Sequence, residues 1–150
     1  MKSSGQSFSL ALGLILFVIG VLGFVPAAIS AGHPTLLTVD PDVTIKYGDL
    51  LGLFPVNHFI SGIQIVLGLA GILASIALDS ARSYARVVAV AYLIFGVMGF
   101  FPFSQTFFGL TPLFGSNVFL HLTLGTIALY FGFVASPGLL EISKAKSSAS

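Results

Sequence analysis

The sequence predicts an all-α membrane protein: a four-transmembrane-helix bundle built as a parallel two-helix repeat, with a small extracytoplasmic β-hairpin in the first loop. Three observations predict it. The chain is 56% hydrophobic and 7% charged, with a mean hydropathy of +1.06, which leaves too few charges to give a soluble domain its polar surface. Four apolar runs occupy about half of the 150 residues. At about 1.5 Å of rise per residue, each approaches or crosses a hydrocarbon core roughly 30 Å thick. The runs also come in two similar pairs. Gly20-Val21-Leu22-Gly23-Phe24-Val25-Pro26 recurs as Gly96-Val97-Met98-Gly99-Phe100-Phe101-Pro102, and Gly52-Leu53-Phe54-Pro55 has a weaker echo in Gly109-Leu110-Thr111-Pro112.

The whole chain, 1–150, reads as one membrane domain. Residues 1–7 form a short polar tail, and the first span runs over about 8–25. A secretory signal is the rival reading here, because Lys2 precedes the run and small residues, Ala27-Ala28-Ile29-Ser30-Ala31, follow it. The recurrence of its motif near residue 100, far too late for a signal, favours a retained span. The long connection after it holds two β-prone runs, Thr35–Val39 and Val43–Tyr47, with Asp40-Pro41-Asp42 as the turn between them. This hairpin loop, 33–49, should pack on the helix ends, since a lone hairpin is marginal in water.

The second span covers about 58–78, followed by a short loop from Ser80 to Arg86. The third covers about 87–102 and is stopped by Pro102; a Phe-rich connection leads to the fourth, about 117–135. A Ser-rich tail, read as disordered, ends the chain. Lys2, Arg82, Arg86, Lys144 and Lys146 fall on one side of a four-span arrangement, and Lys46 with Asp40, Asp42 and Asp49 on the other. The positive-inside rule places both termini in the cytoplasm, in a plasma membrane or a thylakoid.

The first and third spans align at an offset of 76, the second and fourth at 57. Both copies start on the same side, so the repeat is parallel, with a pseudo-two-fold axis along the membrane normal. On the second helix Asn57, Ser61, Gln64, Gly68, Gly71 and Ser75 form one stripe of small and polar residues. Asn117, His121, Gly125, Ala128 and Gly132 do the same on the fourth, Ala85, Ala89, Tyr92, Gly96 and Gly99 on the third, and Gly13, Gly20 and Gly23 on the first. Lipid is as apolar as leucine, so such helices associate through close backbone approach, dispersion and interhelical hydrogen bonds; these stripes are the expected packing seam. A wide aqueous pore is not expected from a seam that draws helices together.

His121 stands out as the residue with the most chemistry. It lies about one turn inside the fourth span, and its repeat equivalent is Gln64. The favoured reading is a hydrogen-bonded clamp between the two, worth on the order of 1 kcal/mol. The functional alternatives are an axial ligand to a haem or chlorophyll, or a proton relay. His58 sits at the interface; it is a weaker cofactor candidate, and no spacing with His33 or the aspartates makes a metal site. Asn57 and Asn117 are expected to be N-caps. The spans hold no acidic residue, which argues against an ion-coupled transporter, and no nucleophile–base pair or phosphate loop is visible, so no enzyme activity is expected. The absence of cysteine excludes disulfides and thiolate metal sites.

The repeated Gly-Leu-x-Pro element, the Asn57 that follows it, and His121 four residues before Gly125 resemble a domain-of-unknown-function family of small four-span membrane proteins from actinobacteria and cyanobacteria, among others. The resemblance covers nearly the whole chain and implies fold and topology. In that family the second span typically carries His-Asn-x-x-His; here those positions are Ile60, Ser61 and Gln64. The fourth typically has Asp-Asn; here it reads Asn117-Val118, with His121 kept. The loss of most of that polar cluster favours a structural role.

Three functions follow from these features. The first is a non-catalytic integral membrane accessory or structural subunit of a larger complex, photosynthetic or respiratory, whose partners are the lipid bilayer and other membrane subunits or copies of itself. The second is a pigment- or haem-binding subunit using His121. The third is a small solute or ion transporter or channel. Nucleic acid is not an expected partner.

Overall fold

A computed structural model describes residues 3–32, 45–135 and 139–148. The described residues are mostly helical, with five α-helices and one small sheet: α1 (Ser4–Leu22), β1 (Ile29–Ala31), β2 (Gly48–Leu50), β3 (Phe54–Val56), α2 (His58–Ala74), α3 (Leu78–Met98), α4 (Ser116–Phe133) and α5 (Leu139–Ser148). Three of the helices, α1, α3 and α4, are long and apolar enough to cross a membrane. The fourth apolar helix, α2, has 17 residues, a rise of about 26 Å. Around the perimeter the large apolar side chains point outward: Ile15 and Val18 on α1, Val66 and Leu73 on α2, Val87 and Ile94 on α3, Phe119 and Tyr130 on α4. Such a surface is stable against lipid and not against water.

Helix α1 packs along α2, and α3 along α4, while α1 and α3 meet across the centre. Leu12 and Leu16 of α1 join Tyr84, Val88, Ala89 and Tyr92 of α3 and Ala128 of α4 in the main core. A second cluster, Leu50, Val56 and Ile60 against Ile19, Leu22 and Ala28, seats the sheet on the ends of α1 and α2. The sheet has the order β1-β2-β3, antiparallel throughout, with Ser30 opposite Asp49 and Asp49 opposite Pro55.

The strands differ from those expected. The predicted turn, Asp40-Pro41-Asp42, and the run Thr35–Val39 lie outside the described residues, and Ile45–Tyr47 are not strand. Among the described residues Gly48–Leu50 pairs with Ile29–Ala31 on one side and Phe54–Val56 on the other, with Pro55 tolerated because β3 is an edge strand.

Helix boundaries also move. Ser4–Ser7 are not a tail: Ser3 and Gln6 form a reciprocal capping box, so α1 starts at Ser4. The predicted loop Ser80–Arg86 is the start of α3, which begins at Leu78. That segment contains no glycine or proline to break a helix; its charges mark the water-facing end of a helix and not a break in it. Helix α2 ends at Ala74, earlier than expected, and the C-terminal tail is helical over Leu139–Ser148.

Candidate functional site

The glycines of the seam are where the helices touch. A Cβ on Gly13 would stand 2.6 Å from the Ile72 backbone nitrogen and 2.8 Å from the Gly68 carbonyl. One on Gly20 would lie 2.7 Å from both Ile65 N and the Ser61 carbonyl, and one on Gly68 would strike the backbone of Phe17. In the other pair Gly96 faces Leu122, Gly125 faces Leu93 and Gly132 faces Arg86 and Ala85. Real Cβ atoms do not approach backbone this closely, so only glycine permits these separations. All the seam residues expected from the sequence are buried except Asn57, which is half-buried at the helix end.

The N-terminal ends of α2 and α4 are tied through the two Gly-Leu-x-Pro stretches. The Asn57 side chain caps α2, its Oδ1 accepting from Ile60 N at 3.1 Å, and its Nδ2 donates to the Leu110 carbonyl at 2.8 Å. From the other side the Ser116 hydroxyl donates to the Leu53 carbonyl, and Asn117 Nδ2 donates to the carbonyls of Pro55 at 2.5 Å and Pro112 at 2.9 Å. Asn117 is therefore not the N-cap of α4. That place falls to Gly115, with φ +67°, and Asn117 lies inside the first turn, buried, spending its donors on the carbonyl of Pro55 in the edge strand β3 and that of Pro112. The two stretches take the same shape. Leu51-Gly52 and Phe108-Gly109 are both left-handed pairs, at φ +53° and +72° and at +45° to +85° across Phe107–Gly109. Gly52 N bonds to the Asp49 carbonyl and Gly109 N to the Thr106 carbonyl.

His121 sits in the interior, 3% exposed, with its ring edge-on to Tyr92 at 5.0 Å and to Phe95 at 5.9 Å. The clamp to Gln64 does not form. The His121 Nδ1 and Gln64 Oε1 are both buried without a partner, and the aromatic rings of α3 take the contacts instead. His58 is exposed at the first position of α2, its ring stacked on Phe24 at 5.2 Å. Among the described residues no group of three His, Cys, Asp or Glu is placed to hold a metal ion; His33 lies outside them.

The connection 103–115 carried no site reading, yet its Gln105, Thr111, Leu113 and Phe114 are almost fully buried. Phe114 meets Tyr47 edge-on at 5.2 Å and so ties this connection to the first loop. A lone glutamine in an uncharged, aromatic stretch was the available signal, since a polar residue at that depth needs partners.

A known family profile, Domain of unknown function (DUF4383), matches residues 6–134, a stretch that includes both left-handed turns and the helices that follow them. The chain belongs to this family. No curated protein and no solved structure matches it.

Proposed function

We propose that this chain is a non-catalytic integral membrane subunit, a four-span bundle made of two helix pairs, that docks laterally onto a larger membrane complex. The repeat is supported by the burial pattern. Adding 76 to Gly5, Ser9, Leu12, Gly13, Leu16 and Gly20, the buried residues of α1, lands each time on a buried residue of α3. Adding 57 to Ile60, Ser61, Gln64, Gly68 and Gly71 of α2 lands each time on a buried residue of α4. With α1 and α3 starting on the same side, the basic residues Arg82, Arg86, Lys144 and Lys146 fit a cytoplasmic face, which puts both termini there and the sheet outside.

One observation carries the functional reading: each helix pair is closed by close contact at the glycines and the centre between the pairs is filled by Leu12, Leu16, Tyr84, Val88 and Tyr92, while large apolar side chains occupy the perimeter. A protein whose centre is sealed and whose outside is its largest surface acts through that outside. The same geometry speaks against a conducting path. The unpartnered Nδ1 of His121 favours a second reading, a bound pigment or haem, although Tyr92 and Phe95 already pack against that ring.

A native gel of source membranes in mild detergent, probed for this chain, tests the proposal, with an absorption spectrum taken of the band. Migration within a large complex supports the subunit reading. Migration alone, near the mass of the chain plus detergent, defeats it, and a visible absorption band that vanishes in His121→Leu would establish the pigment reading instead.

A further inference from the structure

We infer that residues 99–110, the first part of the connection between α3 and α4, do not stand in water but lie among the acyl chains of the leaflet farther from Arg86, with Phe103 and Phe108 against lipid. The inference rests on the membrane reading and is independent of the subunit reading.

The first argument is length. Arg86 is the last charged residue before Glu141; from Val87 to Leu140 the sequence has no Asp, Glu, Lys or Arg. From Arg86 to Met98, where α3 ends, the helix rises about 18 Å. With Arg86 at one edge of a hydrocarbon core roughly 30 Å thick, about 12 Å of that core lies beyond Met98. Snorkelling of Arg86 toward water shortens this gap without closing it. The segment that follows Met98 therefore fills it. The other connection at this end of the bundle carries Asp40, Asp42, Lys46 and Asp49, and so belongs in water.

The second argument is the backbone. Water would serve the N–H groups of an exposed loop; hydrocarbon cannot, so a segment placed there must pair its own. Most of this one does. Gly99, Phe100 and Phe101 donate back to the carbonyls of Phe95, Val97 and Met98. Ser104 and Gln105 donate to Phe101, Phe107 to Ser104, Gly109 to Thr106 and Leu110 to Phe107. Pro102 has no donor to satisfy. Two carbonyls also receive side chains, that of Met98 from the Ser104 hydroxyl and that of Leu110 from Asn57 Nδ2.

The third argument is which side chains face out. Ser104 and Gln105 are buried, whereas Phe103 and Phe108 are each 79% exposed. A segment with its polar residues inward and its aromatic residues outward is the inverse of a loop in water. Phe107 and Phe108 also hold φ of +45° and +58°, a region that favours glycine, and Gly109 stands next to them. Exposed Phe100 and Phe101 continue the outward face of Ile94 and Val97 on α3 with no charge between. Lipid that covers that helix face extends onto this segment.

The chain has no tryptophan, so Phe103→Trp and Phe108→Trp each give a single fluorescent reporter at a position where the ring is already outside the packing. The full chain is placed in lipid nanodiscs, which leave both faces open to water, and circular dichroism confirms wild-type helicity. Val66→Trp, on the outward face of α2, serves as the lipid reference, and Lys146→Trp, on α5, as the water reference. Both Phe variants should be quenched by phosphatidylcholine brominated on its acyl chains, as Val66→Trp is. Quenching by aqueous acrylamide should be several-fold weaker than for Lys146→Trp. Acrylamide quenching equal to that of Lys146→Trp at either position overturns the inference. So does protection from both quenchers, which would mean that a second copy of the chain covers the segment. If Val66→Trp also escapes the brominated lipid, the membrane reading fails, and this inference with it.

Discussion

Asn117, on the first turn of α4, donates one side-chain amide to the carbonyl of Pro55, sixty-two residues earlier, and to that of Pro112 beside it. This single side chain joins both Gly-Leu-x-Pro stretches. Asn117→Ala leaves two buried carbonyls without a donor and should lower stability by about 1–3 kcal/mol. Asn117→Asp is nearly isosteric but points a carboxylate at those same carbonyls, so it should be worse than alanine. The thermal midpoint in mild detergent, followed by far-ultraviolet circular dichroism, should fall in the order wild type, Asn117→Ala, Asn117→Asp. An aspartate variant as stable as wild type would contradict this account.

The two classes of glycine on α2 should respond oppositely to alanine. At Gly68 a Cβ would lie 2.7 Å from the Gly13 carbonyl and 2.7 Å from Phe17 Cα, both backbone, so α1 and α2 must move apart. Gly68→Ala should cost about 1–3 kcal/mol. Gly62→Ala meets open space and should be neutral or stabilising by up to about 1 kcal/mol through helix propensity. Unfolding by titration with sodium dodecyl sulfate compares them directly; equal midpoints would show that the seam is not held by backbone contact.

His121→Leu removes a buried nitrogen that has no partner and sacrifices edge-on contacts to Tyr92 and Phe95. The two effects oppose each other, so the net change should stay within about 1 kcal/mol. A loss of several kcal/mol in the same detergent assay would reveal a partner for Nδ1, such as an ordered water or a bound group.

Tyr47, outside the membrane, titrates above its ordinary value of 10.0, first because burial disfavours the phenolate and second because Asp49 lies nearby. An acid whose folded pKa is raised contributes its full share of stability below the unfolded pKa. That share is lost as pH rises above 10 through the folded value, because the unfolded chain releases its proton first. Stability of the wild type should therefore decline in alkali more steeply than that of Tyr47→Phe. Parallel pH–stability curves would mean that Tyr47 is not sequestered by the loop.

How much of this was legible beforehand varies with range. Asn57 as an N-cap could be read from its position before an apolar run, because capping is a contact over three residues. The same rule failed at Asn117, because Gly115 with its positive φ starts the helix two residues earlier and turns the asparagine toward another loop. Arg82 and Arg86 looked like a loop because charge next to an apolar run suggests water. In the folded chain Arg86 donates to the Gly132 carbonyl and lies over the Phe133 ring at 4.7 Å, inside a continuous helix.

Composition and periodicity were sufficient to establish which segments leave water and which face of each turns inward. Both are local properties: apolarity sets the solvent of a segment, and the 3.6-residue period sets which side chains share a face. The buried set of α2 and α4 is the small and polar stripe that the spacing announces, with Ile60 and Val118 beside it. The folded arrangement alone decided that His121 faces Tyr92 and Phe95 in place of Gln64, that the two Gly-Leu turns bind each other's helices, and that Ser104, Gln105 and 111–115 of the connection turn inward while Phe103 and Phe108 stay exposed. Those outcomes depend on distances between residues far apart in the chain. Such distances are set by how closely the glycines let the backbones approach, and no residue-by-residue rule contains them.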